Sequence, residues 1–208
     1  MLDYFLHALV TLFVTIDPVG LAPMFMVLTA GLVPADRRQT AIRASLIAAS
    51  VLTAFALVGE PLMALLGISL PAFGIAGGLL LFAIAFEMVF SRREERKSAT
   101  AETARDEMRN LAAFPLAIPL ISGPGAISAT ILLASQAHSP VNLAILVVVI
   151  CGLIASCLAV FLLAHQIERI LGETGRIVVS RLLGVILAAL AVQFVADGVV
   201  AIAGRAAG

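Results

Sequence analysis

The feature that most constrains this chain is an Asp-Pro-Val-Gly sequence at residues 17–20, in the middle of an apolar stretch from Leu2 to about Val33. Helix-breaking residues inside a membrane leave backbone groups without hydrogen bonds unless those groups face protein, water or a ligand. A second interruption, Gly123-Pro124-Gly125, lies 106 residues later in an equally apolar stretch. A pair of interrupted membrane helices, one in each half of a chain, is the best sequence indicator of a transporter's binding site. The two breaks therefore predict a solute-binding site.

The composition indicates an integral membrane protein. Of the 208 residues, 62% are hydrophobic and only 12% are charged, and the mean hydropathy is +1.12. An ordinary soluble domain is excluded, because such domains contain about 25% charged residues. Six stretches are long enough to cross about 30 Å of hydrocarbon as helices. They cover roughly residues 4–31, 44–66, 70–90, 111–134, 141–164 and 182–203.

The distribution of basic residues predicts the orientation in the membrane. With six spans, 12 of the 13 Lys and Arg residues lie on one side, in the segments 34–43, 91–110 and 165–181, and only Arg205 lies on the other. Basic residues concentrate on the cytoplasmic side, so both termini are predicted to be outside and the 91–110 loop inside. If the two broken stretches were hairpins that return to the same side, the split would be 10 to 3, and this alternative stays open.

Landmark residues repeat at an offset of 106. The matched pairs are Asp17-Pro18 with Gly123-Pro124, Pro34 with Pro140, Gly78 with Gly184, and Glu87 with Gln193. Because only nine residues are proline, two matched prolines are informative where matched apolar residues are not. Each half contains three spans, an odd number, so the second half enters the membrane from the opposite face. The predicted fold is all-α, with inverted three-helix repeats at 1–90 and 111–208, a linker at 91–110, and the first and fourth helices broken.

Both breaks lie within longer motifs, at residues 17–25 (DPVGLAPMF) and 115–128 (PLAIPLISGPGAIS). Through these motifs the chain resembles the MarC family of bacterial inner-membrane proteins, which includes the SnatA-type neutral amino-acid transporters. Residues 59–61 (GEP) and the 171–184 region are also similar, so the resemblance covers essentially the whole chain. It implies a bacterial inner-membrane location and transport of neutral amino acids. Many relatives carry Asn after the Asp-Pro-x-Gly sequence, where this chain has Leu21.

Asp17 is the only acidic residue deep inside the first apolar stretch. A carboxylate at that depth is costly, and by default it marks a site for an ion, a proton or a substrate. The alternative is structural, because Asp is a favoured N-cap and Pro18 a favoured first residue of a helix. The two roles are compatible, and Gly20 belongs to the same candidate site.

The second break is a candidate site for an anionic group. Gly123-Pro124-Gly125 can expose backbone N–H groups at the start of a half-helix, whose partial positive charge favours a substrate carboxylate. Ser122 and Ser128 flank the break and could add hydroxyl donors. The alternative is a kink that lets a neighbouring helix approach Gly125.

Three further polar residues are secondary candidates. Thr15 shares a helical face with Thr11 leading to Asp17, although a Thr in a membrane helix usually bonds to the carbonyl four residues earlier. Glu87 lies near the inner end of the third span and is also explained as an interfacial acid beside the arginines that follow. For Gln193, its repeat mate, an interhelical hydrogen-bond partner is predicted.

The leading functional prediction is a secondary transporter that moves small solutes, with neutral amino acids as the expected class, by alternating access. Transport would be coupled to H⁺ or Na⁺ or would run as downhill export. The sequence contains no metal-ligand spacing or nucleotide-binding motif, so no metal, no cofactor and no enzyme activity are predicted. A CcdA-type membrane redox protein needs a cysteine in each half, whereas Cys151 and Cys157 share one span. A non-transporting structural or assembly protein stays open. The expected partners are the solute and the lipid bilayer, without nucleic acid, and homo-oligomerisation is left open.

Overall fold

The computed structural model describes residues 1–29, 32–90, 117 and 120–206, and the regular structure of these residues is entirely helical. Seven α-helices follow one another in this part of the chain. They are α1 (Leu2–Ile16), α2 (Pro18–Leu28), α3 (Pro34–Leu65), α4 (Leu70–Val89), α5 (Pro124–Ser135), α6 (Pro140–Leu162) and α7 (Ala164–Ala206). The predicted all-α class is confirmed for the described residues.

Proline and serine determine where several helices begin. The first residue of α2, α3, α5 and α6 is proline, whose fixed φ suits a helix and whose missing N–H is not needed there. Before α4 and α6, the Oγ atoms of Ser69 and Ser139 accept hydrogen bonds from the N–H groups of Ala72 (3.3 Å) and Asn142 (3.2 Å). These bonds satisfy donors that a helix start otherwise leaves free.

Five helical segments of the described residues are long and apolar enough to cross a membrane. They are Leu2–Leu28, Pro34–Leu65, Leu70–Val89, Pro140–Leu162 and Ile177–Gly204. Each corresponds to one of the six predicted spans. The remaining span, predicted at 111–134, is described only in part, with α5 as its second half, and the predicted linker 91–110 lies outside the described residues. Within α7 the chain turns at Gly172, where φ is 61°.

The segment formed by α1 and α2 runs along the full length of α6 instead of folding back. Near the start of α1, Tyr4 Oη donates to the carbonyl oxygen of Leu133 (2.8 Å), close to the α5–α6 turn. Beyond the break, the ring of Phe25 stacks on that of Phe161 near the opposite end of α6, with centroids 4.5 Å apart. The hairpin alternative is therefore wrong for the first break.

Polar side chains are buried in the bundle and large apolar side chains are exposed around it. The exposed ones include Leu57, Val148, Leu182 and Val200. The buried polar ones in the described residues are Thr11, Thr15, Asp17, Thr29, Ser45, Ser122, Ser128, Thr130 and Ser180. In water such an apolar surface would promote aggregation. In a bilayer the lipid covers this surface, and the buried polar groups are kept away from hydrocarbon.

Two glycines allow α4 and α7 to pack closely. A Cβ atom added to Gly78 would lie 2.8 Å from the carbonyl oxygen of Ala191, and one added to Gly184 would lie 3.1 Å from that of Ala85. Small residues permit this backbone approach between membrane helices. The contacts are reciprocal, because Gly184 follows Gly78, and Ala191 follows Ala85, by the same 106 residues.

We expect Gly78→Ala and Gly184→Ala each to destabilise the bundle by about 1–3 kcal/mol, because each added methyl group overlaps the facing helix. Gly152→Ala on α6 is the matched control, since nothing lies within 4 Å of the place its Cβ would take. Thermal unfolding in detergent measures the difference. Equal midpoints for the three variants would contradict a close α4–α7 contact.

Candidate functional site

The first break is a single residue, Asp17, which ends α1 and precedes α2. Its φ and ψ are 56° and 67°, and it is the one non-glycine residue with a positive φ in the described part of the chain. Asp tolerates this left-handed conformation because its short side chain can bond locally. Asp17 Oδ1 accepts a hydrogen bond from the N–H of Gly20 (3.0 Å). The predicted break and the predicted N-cap are both confirmed.

Gly20 is the residue that this cap requires. A Cβ atom on Gly20 would overlap the Asp17 carboxylate, whose Cγ would be only 2.7 Å away. Glycine therefore lets the carboxylate rest against the first turn of α2. Pro18, buried at the first position of that turn, contributes its fixed φ. The Asp-Pro-x-Gly sequence acts as one local unit.

At the second break, Gly123 has extended backbone angles (φ −70°, ψ 168°) and Pro124 begins α5, and Gly123, as the N-cap residue, provides no side-chain cap. Because Pro124 has no N–H, the donors without an acceptor inside the helix are the N–H groups of Gly125 and Ala126. Pro124 is exposed, whereas Gly125 and Ala126 are buried. The start of α5 therefore presents buried backbone donors with partial positive charge.

The two breaks lie next to each other. A Cβ atom added to Gly125 would lie 3.5 Å from Cγ2 of Thr15, in the last turn of α1. Helix α5 runs antiparallel to α1, because Tyr4 near the start of α1 bonds to Leu133 near the end of α5. The last turn of α1, the capped start of α2 and the start of α5 thus form one junction. We call it the break junction and define it by Thr15, Asp17, Gly20, Gly123 and Gly125.

The break junction lies deep in the membrane. Helix α1 has 15 residues and α5 has 12, so at 1.5 Å per residue the junction is roughly 20 Å from the far end of each helix. That depth is within the roughly 30 Å of a hydrocarbon core. An interruption there needs internal partners for its backbone groups.

Asp17 gives the break junction its charge. It is 3% exposed and is the one acidic or basic residue among the buried side chains of the described residues. Burying a carboxylate removes its hydration, which is costly. The positive end of α2 offsets part of that cost, and a cation or an ammonium group beside the carboxylate would offset more.

The flanking serines are held in helix contacts. Ser122 Oγ donates to the carbonyl oxygen of Ala48 on α3 (3.3 Å), so the residue before the break is tied to that helix. Ser128 faces α4, where a Cβ atom on Gly77 would lie 3.2 Å from Ser128 Cβ. These contacts secure the start of α5, and hydroxyl donation by either serine to a solute stays a prediction.

The polar face of α1 leads to the break junction. Thr15 Oγ1 donates to the carbonyl oxygen of Thr11 (2.6 Å), as the structural alternative for Thr15 predicts. Thr11 Oγ1 is buried and has no hydrogen-bond partner among the described residues. An unsatisfied buried hydroxyl costs free energy. Thr11 is therefore a candidate for contact with water or solute, although the sequence pattern indicated only that it shares a face with Thr15.

Glu87 lies on α4 and Gln193 on α7. Glu87 is half-buried in the last turn of α4. The interhelical partner predicted for Gln193 is wrong, because its Nε2 donates to Asp197 Oδ1 on the same helix (2.6 Å) and the pair is exposed. One turn along α7 separates the two residues, and this spacing favours a local bond.

Leu81 and Ile84, which the sequence did not single out, form an apolar wall of the break junction. A Cβ atom on Gly125 would overlap Ile84 Cδ1 and lie 3.3 Å from Leu81 Cδ2, both on α4. Nothing in the sequence distinguishes these two residues from the other apolar residues of α4. In the described ranges, no group of three or more His, Cys, Asp or Glu residues could hold a metal ion.

Substitutions at Asp17 separate capping from charge. Asp17→Asn keeps an acceptor and tolerates the left-handed conformation, so it is expected to be no less stable than wild type. Asp17→Ala loses both and is expected to cost about 2 kcal/mol, and Gly20→Ala is also expected to destabilise because it displaces the carboxylate. Chemical unfolding in detergent provides the measurement. An alanine variant as stable as the asparagine variant would disprove the capping role.

Comparison with known proteins identifies the family. A family model described as MarC family integral membrane protein matches residues 2–203. The UPF0056 membrane protein YhcE of Escherichia coli (strain K12) is 35% identical over 189 residues, which cover 90% of this chain and 88% of that protein. A UPF0056 membrane protein of Archaeoglobus fulgidus is 37% identical over 200 residues, covering 95% and 92%. The Bacillus subtilis protein YvbG is 31% identical over 201 residues, covering 95% of each. No solved structure matches the chain. This multi-pass protein belongs to the MarC family of integral membrane proteins.

Proposed function

We propose that this protein is a secondary transporter of small zwitterionic solutes, with neutral amino acids as the substrate class, and that the break junction is its binding site. One observation carries the proposal. A buried carboxylate at the start of α2 lies two residues after Thr15, whose side chain approaches the positively polarised start of α5 at Gly125, within a helical segment long enough to cross a membrane.

The charge of Asp17 is the feature that capping leaves unexplained. Asn or Ser would cap α2 about as well as Asp, without the cost of a carboxylate in a membrane. The equivalent position in the other half is Gly123, which provides no side-chain cap at all. A negative charge retained where a neutral cap would serve supports a role in binding a cationic group.

A neutral amino acid matches the two sides of the junction. Its ammonium group would bind the Asp17 carboxylate, and its carboxylate would accept hydrogen bonds from the N–H groups of Gly125 and Ala126. A helix start binds a carboxylate in this way without an arginine. The apolar wall of Leu81 and Ile84 would favour substrates with small or apolar side chains.

Ion coupling follows from the same charge. When no solute is bound, the Asp17 carboxylate would be compensated by H⁺ or Na⁺, which the solute would accompany or replace. The proposal therefore includes coupling to a cation gradient, and it assigns the protein no catalytic chemistry.

Alternating access is supported by paired contacts between the two halves. Helix α3 contacts α5 while α6 contacts α2, and α4 contacts α5 while α7 contacts α2. The two contacts of each pair join helices that occupy equivalent places in the two halves. The contacts of Gly78 and Gly184 are equivalent in the same way. We propose that the halves are inverted repeats with both termini outside an inner membrane. Rocking of one half against the other would then open the junction to each side in turn.

Solute flux into liposomes tests the proposal. Wild-type protein would be screened with neutral amino acids, with and without H⁺ and Na⁺ gradients. Asp17→Asn is expected to lower flux by roughly tenfold, the value of one charge-assisted hydrogen bond, or to abolish its dependence on the cation. Gly125→Val is expected to abolish flux, because its side chain would occupy the space between Ile84 and Thr15.

Gly152→Val is the matched control, since its position on α6 faces open space, and it should transport like wild type. All variants would be compared at equal reconstituted amounts after monodisperse elution in detergent. If both junction variants fold and retain wild-type flux and ion dependence, the breaks are packing features. If wild-type protein moves no neutral amino acid, the transport proposal fails.

A further inference from the structure

A cavity of about 270 Å³ lies between α2, α3, α6 and α7, away from the break junction. Its floor is aromatic and its rim is polar and basic. The lining residues that matter here are Phe25, Phe161, Arg37, Arg38, His165 and Gln166, which we call the basic pocket.

The floor of the basic pocket is a stack of rings that fixes one arginine. The rings of Phe25 and Phe161 are buried, with centroids 4.5 Å apart and planes within 14° of parallel. The guanidinium of Arg37 lies 5.3 Å from the centroid of the Phe25 ring. This cation–π contact holds Arg37 in place, so a ligand would meet a positioned guanidinium and not a mobile one.

The rim of the basic pocket is suited to an anion. Arg38, His165 and Gln166 are exposed there, and all three side chains can donate hydrogen bonds. The start of α3, which has no side-chain cap, adds partial positive charge. Asp36, also in the first turn of α3, is exposed and is not part of the lining. Guanidinium groups match the geometry of phosphate oxygens better than any other side chain.

The depth of the basic pocket points to a lipid as the source of that phosphate. Helix α6 ends at Leu162 and helix α3 begins at Pro34; both helices are long and apolar enough to cross a membrane, and both residues line the cavity. The pocket is therefore level with the end of two membrane spans, where phospholipid headgroups lie. Leu162 is 48% exposed, so an apolar surface adjoins the charged rim, as an acyl chain beside a phosphate would require.

We propose that the basic pocket binds a phosphate group, and that its natural ligand is the headgroup of an anionic phospholipid. Basic pockets between membrane helices are known to suit such headgroups. The site is independent of the break junction, and the proposal holds or fails separately from transport.

Lipid binding to the full-length purified protein tests the proposal. Phosphatidylglycerol, phosphatidylcholine and inorganic phosphate would be added separately in neutral detergent, with native mass spectrometry and the thermal midpoint as readouts. Arg38→Gln is the test variant, because Arg38 is exposed and its loss leaves the Arg37–Phe25 contact intact. Arg43→Gln is the matched control, since Arg43 is exposed on the same helix outside the pocket.

We expect phosphatidylglycerol to bind and stabilise the wild-type protein. Arg38→Gln should weaken that binding about tenfold, as loss of a charge-assisted hydrogen bond does, and Arg43→Gln should weaken it clearly less. If inorganic phosphate alone shows the same dependence on Arg38, the phosphate site stands and its ligand is free phosphate. Equal losses in both variants, no loss in Arg38→Gln, or equal binding of phosphatidylcholine would overturn the proposal.

Discussion

The structure depends on one hydrogen-bonded residue within the hydrocarbon thickness. Asp17 donates its N–H to the carbonyl oxygen of Phe13 (2.9 Å), which completes the end of α1, and accepts from Gly20 through its carboxylate, which completes the start of α2. A membrane offers no water to satisfy backbone groups. Without these two bonds, the interruption would leave backbone groups of α1 and α2 unsatisfied at this depth. The break is therefore possible because the residue that interrupts the helix also caps it.

In the proposed function, this arrangement gives a single position both a structural and a functional role. The cap needs only an acceptor oxygen, but Asp17 also brings a negative charge to a place where charge is expensive. On the other side of the junction, Gly123 precedes α5 and Gly125 is its second residue, so this helix start offers backbone donors and no side-chain cap from Gly123. A negative side chain opposite positive backbone groups is the electrostatic complement of a zwitterion, and a neutral amino acid is the simplest molecule of that kind.

The first break and some of the helix starts were predictable because they are local. Proline at positions 18, 124 and 140 favours a helix start, and Asp before proline favours a cap. Proline alone does not decide, because Pro23 and Pro61 lie inside helices and α3 begins at Pro34, ten residues before the span predicted at 44–66. Apolar stretches likewise predicted five of the spans, because length and hydropathy are enough to indicate a crossing.

Tertiary contacts between helices were not predictable, because they depend on how each helix is rotated. The bond from Ser122 to Ala48 joins residues 74 positions apart, and the sequence suggested a solute donor there instead. Gln193 was assigned an interhelical partner, but Asp197 lies one turn away on an exposed face. The stack of Arg37, Phe25 and Phe161 joins three helices that have no shared sequence pattern. In a chain this apolar, every helix has several faces that could pack.

The most direct test of the central claim is equilibrium binding of two probes that differ only in the group that Asp17 is proposed to bind. L-Alanine carries an ammonium group where L-lactate carries a hydroxyl. Both carry a carboxylate, which the start of α5 is proposed to bind. Wild-type protein should prefer alanine by roughly tenfold, the value of one charge-assisted hydrogen bond, and Asp17→Asn should lose that preference. An equal preference for alanine in both proteins, or none in the wild type, would contradict a site in which Asp17 binds the ammonium group.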